Sequence, residues 1–91
     1  MAGGVGDRQD PLAQLAEWTW RAGDHAAGLA ELAHAIEVAP PHRRGRLRTL
    51  RADWLRRRGD VVGARAELEL ALQEDPTFAP AQAALAAFES S

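Results

Sequence analysis

Two stretches of this chain are one segment written twice. RAGDHAAGLAELAHAIEVAP, Arg21 to Pro40, aligns without gaps on RRGDVVGARAELELALQEDP, Arg57 to Pro76. Gly23 and Gly59, Asp24 and Asp60, Ala30 and Ala66, Glu31 and Glu67, Leu32 and Leu68, Ala35 and Ala71, and Pro40 and Pro76 all stand 36 residues apart. Trp18 and Trp54, and Arg21 and Arg57, keep the same offset. A fixed period of a few tens of residues restricts a chain to architectures that stack one supersecondary unit.

Each copy has its own physical logic. Leu29, Leu32, Ala33 and Ile36 recur at the spacing of one helical face, and Ala64, Leu68, Ala71 and Leu72 do the same in the second copy. Both helices start just after Gly-Asp. There the glycine can take the left-handed conformation that ends a preceding helix, and the aspartate can cap the next N-terminus. Both stop before a proline, which cannot continue a helix. The preceding helices are expected over Pro11 to about Ala22, with Leu12, Leu15, Ala16 and Thr19 on one face, and over about Arg44 to Arg57, with Leu47, Leu50 and Trp54. A fifth helix fits about Pro80 to Phe88, with Ala81, Ala84, Leu85 and Phe88 inward and Pro80 in its first turn. The fold class is therefore all-α: about five antiparallel helices joined by short turns.

Helix, Gly-Asp turn, helix and then IEVAP or LQEDP resembles the tetratricopeptide repeat, with its pattern W-x2-L-G-x2-Y, A-x3-F and P. The matching positions are Leu12, Leu15, Ala16, Thr19, Gly28, Leu32, Ala35 and Pro40 in the first copy, and Arg48, Arg51, Ala52, Leu55, Ala64, Leu68, Ala71 and Pro76 in the second. The resemblance implies an α-solenoid: a flexible tail over residues 1–10, then one domain over 11–91, with repeat one at 11–42, repeat two at 45–78 and a capping helix at 79–89. Two departures stand out. The period is 36 rather than the family's 34, placed here in the connector PPHRRGR, and Arg48 and Arg51 fall on core positions. Burying two unpaired arginines is costlier than lengthening a turn. The expected register is therefore shifted by one residue, with Leu47, Leu50 and Trp54 inward and both arginines outward. Two repeats also make a short array, which self-association or a permanent partner would complete.

Composition narrows the function. Ninety-one residues without a cysteine allow one modest core and no disulfide or thiol-metal site, which favours an intracellular setting. The N-terminus MAGGVGDRQDP has acids where a signal peptide needs apolar residues, and no stretch has membrane-spanning length, so a cytoplasmic protein is expected. All eleven basic residues are arginine and alanine is the commonest residue, a usage typical of GC-rich bacterial genomes. The net charge of −2 conceals an asymmetry: eight arginines between Arg43 and Arg58 accompany only Asp53, leaving that segment at +7 and the remainder at −9. Such a block either forms a solvated face balanced by Glu67, Glu69 and Glu74 or meets an acidic partner. Nucleic acid is the less expected partner, because the pI is near 5.9 and no reading helix or aromatic platform accompanies the block.

No enzyme is expected, and no cofactor or metal. His25, His34 and His42 include no i, i+4 pair, the serines are terminal, and AGGVG lacks the Lys-Ser or Lys-Thr of a phosphate loop. The family's carboxylate clamp uses Lys and Asn, and this chain has neither, so that activity is not carried over. Trp18 and Trp20 point about 200° apart on a helix, so one of them must be at least partly exposed. In the repeat resemblance Trp20 and Arg21 fall toward the concave, peptide-binding face. The partner-binding residues expected are therefore Trp20, Arg21, Arg46, Arg56 and Arg57, with Gly23, Asp24, Pro40, Gly59, Asp60 and Pro76 as structural turn residues. Arg58-Gly59-Asp60 matches the integrin-binding tripeptide, but WRAGDHAA fills the same place in its own copy with Ala22 where Arg58 stands, so turn chemistry explains Gly59 and Asp60. The function expected is a protein-protein interaction module, an adaptor or accessory subunit that takes a partner in its helical groove and on its arginine face, or else a small regulator contacting nucleic acid through residues 43–58. A homo-oligomer is a further possibility for an array this short.

Overall fold

The structure, a computed structural model, describes residues 10–90, so the tail expected over residues 1–10 lies outside the described residues except for Asp10. It is all-helical, with α1 at Pro11–Arg21, α2 at His25–Val38, α3 at Pro41–Arg57, α4 at Val61–Glu74 and α5 at Ala79–Ser90. Two compact units share these helices: one ends at Val38 and holds α1 and α2, and the other begins at Ala39 and holds α3, α4 and α5.

The repeated Gly-Asp forms the same joint in both units. Gly23 and Gly59 take φ of +100° and +87°, the left-handed region a side chain disfavours. After α1, Gly23 N donates to Trp20 O and Asp24 N to Thr19 O; after α3, Gly59 N donates to Arg56 O and Asp60 N to Leu55 O. These bond pairs define the Schellman motif. The aspartates then cap the next helix, with Asp24 Oδ1 accepting from Ala27 N at 3.3 Å and Asp60 Oδ1 from Gly63 N at 2.8 Å. α1 starts in a similar way: Asp10 Oδ1 accepts from Ala13 N, and Pro11 occupies the first turn, where its missing N–H leaves no helix bond unmade.

In the first unit Ala16 of α1 and Gly28, Leu32, Ala35 and Ile36 of α2 are buried. The two helices approach closely at Gly28, where a Cβ would lie 3.2 Å from the Trp20 backbone. Glu31 is half-buried, and its Oε1, fully covered, has no hydrogen-bond partner among the described residues.

In the second unit Gly45, Leu47, Ala52, Trp54 and Leu55 of α3 are buried with Ala64, Glu67, Leu68 and Ala71 of α4. α5 packs mainly on α4 and more lightly on α3, burying Ala81 and half-burying Ala84, Leu85 and Phe88 as its periodicity predicts. Between α4 and α5, Asp75 Oδ1 accepts from Thr77 N and Thr77 Oγ1, a local turn that aims Phe78 at α3. Phe78 meets Gly45, where a Cβ would come within 3.3 Å of its ring.

The structure corrects two expectations. The residues assigned to a longer connector are helical: α3 opens at Pro41 and runs 17 residues against 11 for α1, while both helices end at equivalent arginines. Proline at the first helical position is preorganised for a helix, so the added length extends α3 at its N-terminus and the turn stays short. Pro41 and His42, placed with the first repeat by the sequence boundary, thus belong to this helix.

The second correction concerns register. Leu47 and Trp54 are buried as expected, but Arg48 and Arg51 turn toward α4 rather than outward, with side chains 17% and 22% exposed. The penalty argued against burying them applies to unpaired charges, and these are paired. Arg51 Nη1 donates to Glu67 Oε2 at 2.6 Å and Arg48 Nη1 to Glu67 Oε1 at 3.1 Å. Arg48 also grips Glu74 with a fork, Nε to Oε1 at 3.1 Å and Nη2 to Oε2 at 3.2 Å, and Arg44 lies 4.0 Å from the same carboxylate. Arg51, Glu67, Arg48, Glu74 and Arg44 therefore form an alternating chain of charges along the α3–α4 seam.

Candidate functional site: a groove in the second unit

A groove of about 950 Å³ opens among α3, α4 and α5. α3 supplies Thr49, Leu50, Ala52, Asp53 and Arg56, α4 supplies Val61, Arg65 and Leu68, and α5 supplies Ala84, Ala87 and Phe88. Its apolar floor exists because α5 carries only alanines and one phenylalanine on this side. Small side chains leave space between helices that larger ones would fill. Val61 stays 49% exposed at the groove and its neighbour Val62 82% exposed, so the α4 N-terminus adds apolar surface beside it.

The polar groups around the groove differ in how they are satisfied. Thr49 Oγ1 donates to Gly45 O at 2.8 Å, back along its own helix. Asp53 accepts from Arg56 Nη2 and from Arg57 Nε, both at 2.8 Å. Arg65 is exposed and has no carboxylate partner among the described residues. It is a cation on the wall of an apolar groove, able to fork onto an incoming carboxylate.

Burial works against the charge of Arg48, but its hydrogen bonds to Glu74 and Glu67 and the charges of both outweigh that effect and hold its pKa above the ordinary arginine value. Arg44, Arg48, Arg51, Arg56 and Arg57 all sit in carboxylate pairs. Much of the basic block is thus internally neutralised, which leaves less charge for a phosphate backbone than the sequence count implies. Glu67 and Glu74 take up these arginines as the balanced-face reading expects, whereas Glu69 is exposed on α4.

The five partner-binding residues read from the sequence lie in different places. Trp20 is half-buried on α1 against Gly28, its ring centroid 4.2 Å from that of His25 with the planes tilted by 42°. Trp18 is the exposed member of the pair, at 60%. Arg21 is exposed in the last turn of α1 and belongs to the first unit. Arg46 is exposed on α3 and does not line the groove; Arg56 lines it, and Arg57 joins Arg56 on Asp53. Sequence reasoning missed Arg65 and the groove faces of α4 and α5. The one available signal was the row Ala84, Ala87, Phe88, which is too small to fill the space beside Leu68.

Among the described residues no cluster of three or more histidines or carboxylates is placed to hold a metal, and no helix is long and apolar enough to cross a membrane. No family model matches the chain, and no curated protein or solved structure is significantly similar to it.

Proposed function

We propose that this protein is a non-enzymatic interaction module of tetratricopeptide type, an adaptor or small accessory subunit that holds an amphipathic helix of a partner protein in the α3–α4–α5 groove. The observation that carries the reading is the groove itself: an apolar floor with Arg65 on its wall, without a carboxylate partner among the described residues, and Arg56 and Arg57 beside it. An apolar stripe on the partner helix removes surface from water against Leu50, Val61 and Phe88. Acidic residues flanking that stripe meet the arginines, which favours encounter and fixes orientation. The Schellman joints and the shared positions Ala52, Leu55, Ala64, Leu68, Ala71 and Pro76 support the family assignment.

A binding assay tests this directly. Fluorescently labelled amphipathic helical peptides of one apolar stripe, flanked either by Glu or by Lys, are titrated with the full chain and with Arg65→Glu. The acidic peptide binds the native chain more tightly, and Arg65→Glu reverses the preference. Equal affinity for both peptides, or salt-sensitive binding to single-stranded or duplex nucleic acid that exceeds both, overturns the reading.

A further inference from the structure

The proposed function leaves the exposed apolar face of α1 unexplained. Leu15 and Trp18 stand three apart on one helix face and are 46% and 60% exposed. Trp54, at the equivalent place in the second copy, is 5% exposed. A tryptophan that one copy buries is thus uncovered in the other. Leu-x-x-Trp on an exposed helix face is the spacing with which a helix inserts anchors into a groove.

Charge complements this shape. The unit ending at Val38 holds six acids and two arginines, a net −4, whereas the unit from Ala39 onward holds nine arginines and seven acids, a net +2. Glu17 adjoins Trp18 on α1 and the exposed Arg65 stands on the groove wall, so an acid beside the helix anchors has a cation to meet, while Asp53 on the rim is already taken up by Arg56 and Arg57.

From these observations we infer that the chain associates with itself head to tail, α1 of one copy seating Leu15 and Trp18 in the α3–α4–α5 groove of a second copy. This inference rests on the groove being a helix-binding site, and it names an occupant that the chain itself supplies. The contact joins two different surfaces, so each bound pair keeps one free groove and one free α1. Growth continues until a ring closes or dilution halts it. An external partner helix competes for the same groove, and self-association thereby holds the site closed until a tighter ligand displaces α1.

Sedimentation velocity of the full chain from roughly 1 μM to roughly 1 mM, the range of weak to moderate protein contacts, tests this. The native chain gains mass with concentration, and added salt weakens the gain. Trp18→Glu removes the inserted face, and Arg65→Glu with Ala87→Glu spoils the groove; all three positions are exposed, and circular dichroism checks that helicity is kept. Each variant alone stays monomeric, with association weakened by about tenfold or more. Mixed in equal amounts they form a dimer and nothing larger, because Trp18→Glu retains a groove and the other variant retains α1. A native chain that is monomeric throughout, or either variant associating like the native chain, overturns the inference. The peptide titration separates the two proposals: a monomeric chain that still prefers the acidic peptide loses only the self-association, and one that prefers neither loses both.

Discussion

Glu31 and Glu67 hold the same place in two copies of one sequence unit, yet Glu67 accepts from two arginines while Glu31 keeps a covered oxygen with no donor among the described residues. The residues equivalent to Arg48 and Arg51 in the first copy are Leu12 and Leu15, so the donors are missing by sequence. Removing Glu67 takes an acceptor from both Arg51 and Arg48, although Arg48 keeps its fork on Glu74, and Glu67→Leu lowers stability by about 2 kcal/mol. Glu31→Leu removes an unsatisfied acceptor and is neutral or stabilising by up to about 1 kcal/mol. Urea denaturation followed by circular dichroism reads both. Equal losses in the two variants would show that the shared position, rather than the arginines, sets the cost.

Arg48 provides a pH test. Arg48→Lys keeps the charge but loses the fork that serves Glu67 and Glu74 together, lowering stability at neutral pH by about 1–2 kcal/mol. A base whose folded pKa is raised stabilises the fold below its unfolded pKa and loses that contribution as pH rises through the folded value. For Arg48 the folded value lies above the already high arginine range, so the native chain keeps this contribution throughout moderately alkaline solution. A lysine, with an ordinary pKa of about 10.4, gives it up at accessible pH. Melting temperatures of the two proteins therefore diverge further as pH climbs past about 10. Parallel curves would show that the side chain at this position does not carry the alkaline stability.

The two neighbouring tryptophans have different roles. Trp20 is half-buried and its ring lies against His25, so Trp20→Ala costs about 2–3 kcal/mol, somewhat below a fully buried aromatic. Trp18→Ser changes thermal stability by less than about 0.5 kcal/mol, as a surface substitution does. Thermal melts distinguish them, and a comparable loss for Trp18 would mean that it is packed in solution.

Gly59→Ala forces a side chain into the left-handed region and costs about 1–2 kcal/mol. Asp60→Ala removes the α4 cap and costs about 1 kcal/mol. Arg58→Ala removes neither the turn conformation nor the cap, so its melting temperature stays nearest the native one. The tripeptide Arg58-Gly59-Asp60 is in this way two structural residues preceded by one that the turn does not need.

Most of the secondary structure is legible in the sequence because its determinants are local. Gly23, Asp24, Gly59 and Asp60 mark the joints, and Leu29, Leu32, Ile36 and Leu68 mark the buried faces. The start of α3 is not legible in the same way, since PPHRRGR reads as a connector unless Pro41 is taken as a helix opener. The orientation of Arg48 and Arg51 depends on Glu67 and Glu74, residues 16 to 26 positions away, which a one-helix argument leaves out. The groove is harder still to foresee. It is a shortage of volume shared by three helices, and no single residue announces it.

The alternating charges along the α3–α4 seam bear on how such a chain could be lengthened by protein engineering. Tandem copies of residues 41–76 would each bring both halves of the seam, so every added hairpin would arrive with its ionic bolt already closed. Copies of residues 11–40 would multiply the bare carboxylate of Glu31. As a building block for synthetic arrays, the second hairpin is the finished part and the first is the blank.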